Sequence, residues 1–273
     1  MEVVKLNGAL AASVTGIDWD AGPVADDFEQ IAAALMDHGV LAIAAEGMRP
    51  EQHVELAGHF GELEHHEFFE NQGPGFEHIT VLDSARGDRS SMWHIDEHFL
   101  ENPPIITMTR AIQLPSWGGD TSFISLHHAF DTLSPRMQNY LDGLCAVHDL
   151  ARIAEMRWQN GTAGSEQFAE PLLAHKHATH PVVSVHPVNG RRALNVSPTY
   201  TRFIEALPSG ESKAILDYLF LHMQRPEHAY RHRWAPGDLL IWDNRSVMHH
   251  AAADYSDRRV MHRISVIGTA RPA

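Results

Sequence analysis

Cysteine is almost absent, since Cys145 is the only one among 273 residues. A single thiol cannot form a disulfide within the chain, so a disulfide-stabilised fold is excluded, and the composition is typical of a reducing compartment. Long apolar runs are absent too. No segment approaches a membrane-spanning length, and the N-terminal MEVVKLNGALAASV lacks the apolar core of a signal peptide. We therefore expect a cytoplasmic protein with no membrane span.

Positive charge is also scarce. The chain has 21 lysines and arginines against 35 acidic residues, a formal charge of −14, and its basic residues form no long runs. Such a surface would repel phosphates, so nucleic acid is not an expected partner. The chain lacks a P-loop, and no G-x-G-x-x-G joins an early strand to a helix, so neither of these nucleotide-binding folds is predicted.

The remaining composition is typical of a globular protein, with 44% hydrophobic and 21% charged residues. No repeat, low-complexity tract or obvious linker divides the sequence, and its length can bury a large core. We expect a single domain over residues 1–273.

Short strands dominate from residue 79 onward, with Gly, Pro and Asn between them. They are ITVLD, ITMTRAIQL, VVSVH, RALNV, DLLIWD and VMHRISVIG. Helical patterns cover residues 25–39, 50–61, 134–144 and 209–224, and the last carries an apolar stripe that predicts core packing. Many short strands with few helices predict a mainly β fold with flanking helices, either a sandwich or a jelly-roll barrel.

Histidine is abundant, with 21 residues, and three of them precede an acidic residue by two positions, as often as chance predicts. One such pair, His94 and Asp96 in WHIDEHFLENPP, would project to one side of an extended segment. His249 and His250 follow the buried-looking strand DLLIWD and its turn, and they are candidates for a third ligand. Two histidines and one carboxylate suit ferrous iron and leave positions open for a co-substrate and dioxygen.

Two arginines, Arg259 and Arg263, lie four residues apart in RRVMHRISVIG and would share one strand face. A buried arginine needs an anion, and its planar guanidinium binds a carboxylate through two hydrogen bonds. If that face lines a barrel, small-molecule carboxylates would be suitable partners. The alternative interpretation is that both arginines are surface charges on an edge strand.

Several blocks, in order along the chain, carry a family resemblance. They are FGELEHH, WHIDEHFLENPP, QLPSWGGDTSF, HPVVSVHPVNGRRAL, YRHRWAPGDLLIWDNRSVMHH and DRRVMHRISVIG. On these blocks the chain resembles the iron(II)- and 2-oxoglutarate-dependent dioxygenases of the taurine dioxygenase and 2,4-dichlorophenoxyacetate dioxygenase family. The resemblance covers nearly the whole chain and implies a double-stranded β-helix, a jelly-roll variant, with helices packed outside it.

The resemblance also implies a catalytic set. Carried across by motif, the family's iron ligands fall on His94, Asp96 and His249, the last because of its distance from the WDNR motif. The distal carboxylate of 2-oxoglutarate would meet Thr121 and Arg259, while its other end would chelate the iron. The implied cofactor and co-substrates are Fe(II), 2-oxoglutarate and O2, with succinate and carbon dioxide as products of a hydroxylation.

Substrate-binding residues follow from the same resemblance. Arg263 would anchor the anionic head of the primary substrate, and His66 would help to bind it. Phe69 and Ser90 stand where the taurine enzyme has a tyrosine and an asparagine, so the anion side is retained and the amine side is changed. We expect a small organic anion that resembles taurine or an alkylsulfonate. A carboxylate or sulfate ester, of the aryloxyalkanoate or alkylsulfate type, is the alternative.

Two other interpretations stay open. A jelly roll can bind a metal or an anion without catalysis, although such a protein has no need for Thr121 and Arg259. The iron chemistry can also end in desaturation or another oxidation, because the outcome depends on the substrate pose. The resemblance implies a homo-oligomer, either a dimer or a tetramer. His175, His177 and His180 of HKHATH are expected to be solvated loop residues.

Overall fold

The computed structural model describes residues 1–66, 70–87, 91–153 and 177–273. Strands occupy much of this part of the chain. They are β1 (Glu2–Lys5), β2 (Ala12–Thr15), β3 (Val40–Ala44), β4 (Thr80–Asp83), β5 (Ile106–Gln113), β6 (Thr121–Ser125), β7 (Cys145–Asp149), β8 (His177–Pro181), β9 (Val183–Val185), β10 (Arg192–Leu194), β11 (Thr201–Ile204), β12 (Ala229–His232), β13 (Asp238–Asp243), β14 (Val247–Ala251) and β15 (Val260–Val266). All six predicted strands from residue 79 onward are confirmed.

Helices are fewer in the described ranges. They are α1 (Ala25–His38), α2 (Pro50–Gly58), α3 (Leu126–Asp131), α4 (Pro135–Leu141) and α5 (Ser209–Met223), with short 3-10 turns at Ser84–Arg86 and Pro226–His228. Four of the five were predicted from their spacing and end signals. Pro50 occupies the first turn of α2, and Gly39 ends α1 in the left-handed conformation with φ of 71°. The short helix α3 was not predicted.

Four sheets organise the described residues. The largest has seven strands in the order β1–β2–β3–β13–β5–β15–β4, and the smaller ones are β12–β6–β14, β11–β7–β8 and β10–β9. The fold is therefore strand-rich and mixed α/β, with most neighbouring strands antiparallel. Strand β13 lies inside the large sheet between β3 and β5, which explains why five of its six residues are buried.

The two faces of β13 enter different cores, because successive side chains of a strand point to opposite sides. Leu239 and Ile241 pack with the apolar faces of α1 and α2 in one core. Leu240 and Trp242 pack against Phe123 of β6 in another. The second contact places the β12–β6–β14 sheet against the large sheet, and the candidate active site lies between these two sheets.

A further core, to which α3 and α5 both contribute, includes residues of the β6–β14 pair. Ile124 and Met248 pack there with Leu216, Leu219 and Met223, the buried part of the predicted apolar stripe. The prediction that this stripe is a core-packing surface is confirmed. Within the ranges given above, no helix combines the length and the apolar character needed to cross a bilayer.

Gly268 marks a close approach between two backbone segments. A Cβ atom added there would lie 2.1 Å from the carbonyl oxygen of Pro103. Because backbone atoms cannot give way cheaply, we expect Gly268→Ala to lower the free energy of unfolding by about 2–3 kcal/mol. Gly210→Ala is the matched control, since nothing lies within 4 Å of a Cβ at that position of α5. It is expected to raise stability by up to about 1 kcal/mol. Denaturant unfolding of both variants checks this, and equal stabilities would contradict it.

Candidate active site

Three polar side chains converge between the two sheets. The Nε2 atoms of His94 and His249 lie 3.5 Å and 3.6 Å from Oδ1 of Asp96. Their ring centroids are 4.2 Å apart, and one ligand atom from each of the three residues lies within 4.8 Å of the others. Two imidazoles and one carboxylate on a shared point could hold a divalent metal of the first transition row.

A backbone bridge, and not a strand, brings His94 to this point. The amide of His94 donates to the carbonyl of His249 at 3.0 Å, and the amide of His249 donates back at 2.9 Å. The extended segment under which His94 and Asp96 were expected to project to one side is not present over residues 93–97, because a turn begins at Asp96. Asp96 therefore reaches the site through this turn. The next residue, Glu97, has φ of 43°, a conformation that costs a residue other than glycine roughly 1–2 kcal/mol.

Hydrogen bonds orient the carboxylate of Asp96. Its Oδ2 accepts a bond from the Thr107 hydroxyl at 2.8 Å, and Thr107 accepts one from the Asn244 amide at 2.9 Å. Asn244 in turn accepts from the indole of Trp242 at 3.0 Å. This series of hydrogen bonds occupies Oδ2 of Asp96 and leaves its Oδ1 beside the two histidines. Sequence reasoning missed Thr107 and Asn244, and the only signal for Asn244 was its place in the WDNR motif.

The orientation of His94 and the charge state of His249 also suit them to act as metal ligands. Nδ1 of His94 donates to the carbonyl of Met92 at 2.8 Å, so its Nε2 is the nitrogen that carries the lone pair toward Asp96. Burial lowers the pKa of His249 to about 3, with a smaller contribution from His94. Burial alone would raise the pKa of Asp96, but the charges of His249 and Arg263 hold it well below its usual range. Near neutral pH the set has a neutral His249 and a charged carboxylate, which suits a metal cation.

A second group lies at the start of β6. The Thr121 hydroxyl accepts a hydrogen bond from the indole of Trp234 at 3.0 Å, and the guanidinium of Arg259 lies 5.7 Å from the same ring. Arg259 is largely buried, which lowers its pKa, and Tyr255 opposes that shift. Its Nε has no hydrogen-bond partner within the described ranges. The structure thus brings both Thr121 and Arg259 to Trp234, as a pair that could bind a carboxylate.

Arg263 lies inside the large sheet. It pairs with Thr80 of β4 and Thr109 of β5, so the alternative interpretation of an edge strand is wrong. It lies two residues before Ser265, which pairs with Thr107, the residue that bonds Asp96, and its charge acts on Asp96 and on His249. Arg259 precedes β15, and a register shift separates Val260 from Met261, so simple strand alternation does not relate the two arginines.

His66 belongs to a further cluster that sequence reasoning did not assemble. Its Nε2 lies 3.3 Å from Oε1 of Glu97, and with Glu64 the three side chains offer ligand atoms within 4.8 Å of one another. Burial, and then the neighbouring Glu97, raise the pKa of Glu64 to about 8. The charge of Arg263 lowers the pKa of both carboxyl groups. The other two predicted substrate residues, Phe69 and Ser90, lie outside the described residues.

One prediction about the remaining histidines is wrong. His180 is buried in β8, where its ring lies 5.3 Å from those of His98 and His148, and its Nε2 donates to the carbonyl of Leu100. His177 is exposed, as predicted, and His175 lies outside the described residues. Alternating burial in the strand HATHP explains the difference, and the polar composition of HKHATH concealed it.

A strand-rich fold that joins two histidines and a carboxylate, with partly buried arginines in the same region, is typical of metal-dependent oxygenases. The family model for "Taurine catabolism dioxygenase TauD, TfdA family" matches residues 2–265. The chain therefore belongs to the TauD/TfdA family of alpha-ketoglutarate-dependent dioxygenases. It is an enzyme that uses 2-oxoglutarate as co-substrate together with a divalent metal, and family membership favours this over the non-catalytic binding protein.

Three relatives illustrate the match. An alkylsulfatase of Acinetobacter baylyi is 30% identical, over 98% of this chain and 85% of the relative. A 2,4-dichlorophenoxyacetate dioxygenase of Cupriavidus pinatubonensis is 28% identical, over 97% of both chains. The crystal structure of a taurine dioxygenase from Burkholderia xenovorans superposes with a TM-score of 0.82 at 29% identity, covering 98% of this chain and 89% of that one.

The hydroxyl of Thr107 provides a test of the hydrogen-bond chain behind Asp96. Thr107→Val keeps the shape of the side chain and removes the donor, so we expect the affinity for Fe(II) or Mn(II) to fall about 10- to 100-fold. Anaerobic metal titration measures it. Thr179→Val is the control, because in the part of the chain that the structure describes that hydroxyl makes only an exposed 3.5 Å contact with Glu205. Equal metal affinities of the two variants would show that the hydrogen bonds behind Asp96 do not support the metal site.

Proposed function

We propose that the chain is an Fe(II)- and 2-oxoglutarate-dependent dioxygenase that hydroxylates a small organic anion and releases succinate and carbon dioxide. The observation that carries this is the convergence of His94, Asp96 and His249, with Arg263 beside them. The proposal includes one domain over residues 1–273 with a double-stranded β-helix core. The face-to-face packing of β13 on β6 supports that core. The homo-oligomer stays a prediction.

His94, Asp96 and His249 would hold the iron. The donor set fits Fe(II), since two of its three ligands are imidazoles and the third is a carboxylate fixed by Thr107. The bound metal and 2-oxoglutarate would supply the oxidising chemistry, with dioxygen as the oxidant. The task of this chain is then to place the reactants and to keep water away, and the burial of Asp96 and His249 supports that task.

Thr121 and Arg259 would bind the distal carboxylate of 2-oxoglutarate. A guanidinium that is largely buried needs an anionic partner, and a planar fork with an adjacent hydroxyl matches a carboxylate. Trp234 would hold both groups, because its indole donates to Thr121 and its ring lies beside Arg259. Gly119 supports this arrangement, since a Cβ there would lie 3.2 Å from Cδ of Arg259.

Arg263 and His66 would bind the acidic head of the primary substrate. A sulfonate is the preferred head group, as in the taurine dioxygenase that the chain resembles. A sulfate ester or a carboxylate is the alternative, because the similar proteins include an alkylsulfatase and a 2,4-dichlorophenoxyacetate dioxygenase. The position of Arg263 beside Asp96 supports a head group held close to the metal.

His249 and His250 are adjacent in sequence but have different surroundings, so they provide a matched pair of variants for the metal site. His249 lies beside Asp96, whereas the ring of His250 lies 5.3 Å from that of Trp93. Anaerobic addition of Fe(II) and 2-oxoglutarate is expected to give a visible charge-transfer band in the wild type and in His250→Ala. His249→Ala is expected to lose the band and all turnover. A band of full intensity in His249→Ala, or no band in the wild type with iron bound, would refute the assignment.

Two adjacent arginines test the co-substrate site in the same way. Arg259→Gln is expected to raise the dissociation constant of 2-oxoglutarate about 10- to 100-fold, because hydrogen bonds to a charged group contribute about 1.5–3 kcal/mol. Arg258→Gln is the control, since Arg258 is ion-paired with Asp83 and half exposed. Titration of the charge-transfer band gives both constants. Equal constants would mean that Arg259 does not hold the carboxylate.

A further inference from the structure

A network of hydrogen bonds lies behind Thr121 and Arg259, the residues proposed to bind 2-oxoglutarate. Both of them contact Trp234, which stands in an irregular segment between β12 and β13. Strand pairing does not hold a side chain in such a segment, so other contacts must fix the indole. If the indole moved, Thr121 would lose its hydrogen bond and Arg259 its ring contact at the same time.

His232, the last residue of β12, packs against this indole. Its ring meets that of Trp234 edge-on, with the centroids 5.2 Å apart and the planes at 87°. His232 also pairs directly with Thr121 between β12 and β6, and the side chains of directly paired residues share one face of a sheet. The buried imidazole of His232 therefore lies next to Trp234 and on the same sheet face as Thr121.

Both ring nitrogens of His232 are engaged. Nε2 donates to Oδ2 of Asp238 at 2.9 Å, and Nδ1 lies 2.9 Å from the hydroxyl of Tyr230. Tyr230 precedes His232 by two residues, so the two side chains share one face of β12. Burial, and then the charge of Asp238, raise the pKa of Tyr230 to about 12, so its hydroxyl keeps its hydrogen. The imidazole is thus held at both nitrogens, which fixes the orientation of the ring.

Asp238 connects this imidazole to the turn that follows Trp234. The same Oδ2 accepts from the backbone amide of Ala235 at 2.7 Å, and the amide of Asp238 donates to the carbonyl of Ala235 at 3.1 Å. The turn covers residues 235–238, with proline second and Gly237 third at φ of 83°, the positions that a type II turn favours for them. One carboxylate therefore joins the ring that packs on Trp234 to the turn that follows Trp234.

We infer that His232, held by Tyr230 and Asp238, is a positioning residue for 2-oxoglutarate. It fixes Trp234, and the indole in turn keeps the proposed carboxylate-binding pair in place. The inference rests on the proposed function and extends it to side chains that hold the binding residues, not the ligand. Breaking the network is expected to weaken binding of 2-oxoglutarate but not of Fe(II), because the carboxylate among the metal ligands has separate support from Thr107.

His232→Phe separates packing from hydrogen bonding, since it keeps an aromatic ring against Trp234 and removes both hydrogen bonds. We expect the dissociation constant of 2-oxoglutarate to rise about tenfold, as the partial loss of two ordinary hydrogen bonds predicts. Anaerobic titration of the charge-transfer band in the iron-loaded protein gives this constant. A separate titration with Fe(II) is expected to give the wild-type value, so that only one of the two constants changes.

Two variants of Asp238 decide the question if His232→Phe does not fold. Asp238→Ala removes the acceptor of both hydrogen bonds, so the constant of 2-oxoglutarate is again expected to rise about tenfold. Asp238→Asn keeps an oxygen that accepts from the imidazole and from the amide of Ala235, and its constant is expected within about threefold of the wild type. His222→Phe is the control, because it removes a similarly buried histidine that bonds the carbonyl of Ala129 in α3.

Four results would overturn the inference. They are an unchanged constant of 2-oxoglutarate in His232→Phe and Asp238→Ala, no recovery in Asp238→Asn, an equal rise in His222→Phe, and a matching rise in the constant of Fe(II). The last would mean that the network supports the whole site and not the co-substrate end. Absence of the band in the wild type would instead refute the proposed function, and the inference with it.

Discussion

The backbone bridge between His94 and His249 is the contact on which the candidate site depends. Two hydrogen bonds of 3.0 Å and 2.9 Å attach an otherwise irregular segment to β14. They fix the two imidazoles side by side, and the turn that follows brings Asp96 between them. His249 of β14 pairs with Phe123 of β6, and Thr121 lies two residues before Phe123. The same bridge therefore fixes the position of the metal ligands relative to Thr121.

The large sheet contributes the rest of the site. Thr107 of β5 and Asn244 hold one oxygen of Asp96, and the charge of Arg263, on the neighbouring strand β15, acts on the same carboxylate. The site thus forms only when the two sheets pack through Phe123, Leu240 and Trp242. Arg259 and Arg263, the arginines of the two proposed anion-binding positions, come from the same segment, one just before β15 and one within it.

Regular elements were predictable because their patterns are local. The strand DLLIWD and the helix with Leu216 and Leu219 follow from alternation and helical spacing, and the family motifs brought His94, Asp96 and His249 into one set. Features that depend on tertiary pairing were not predictable. The turn at Asp96 interrupts the extended segment on which the pairing of His94 with Asp96 was first considered, because among the described residues this segment pairs with β14 only at His94. Neither the contact of Glu97 with His66 nor the burial of His180 has a signature in the neighbouring sequence.

The central claim is that the bridge assembles a three-residue iron site in which exactly two ligands are imidazoles. X-ray absorption of the anaerobic iron-loaded protein counts those ligands directly. We predict a scattering pattern of two imidazoles in the wild type and of one imidazole in His94→Ala, with His250→Ala unchanged from the wild type. A wild-type pattern without imidazole, or an unchanged pattern in His94→Ala, would contradict the account.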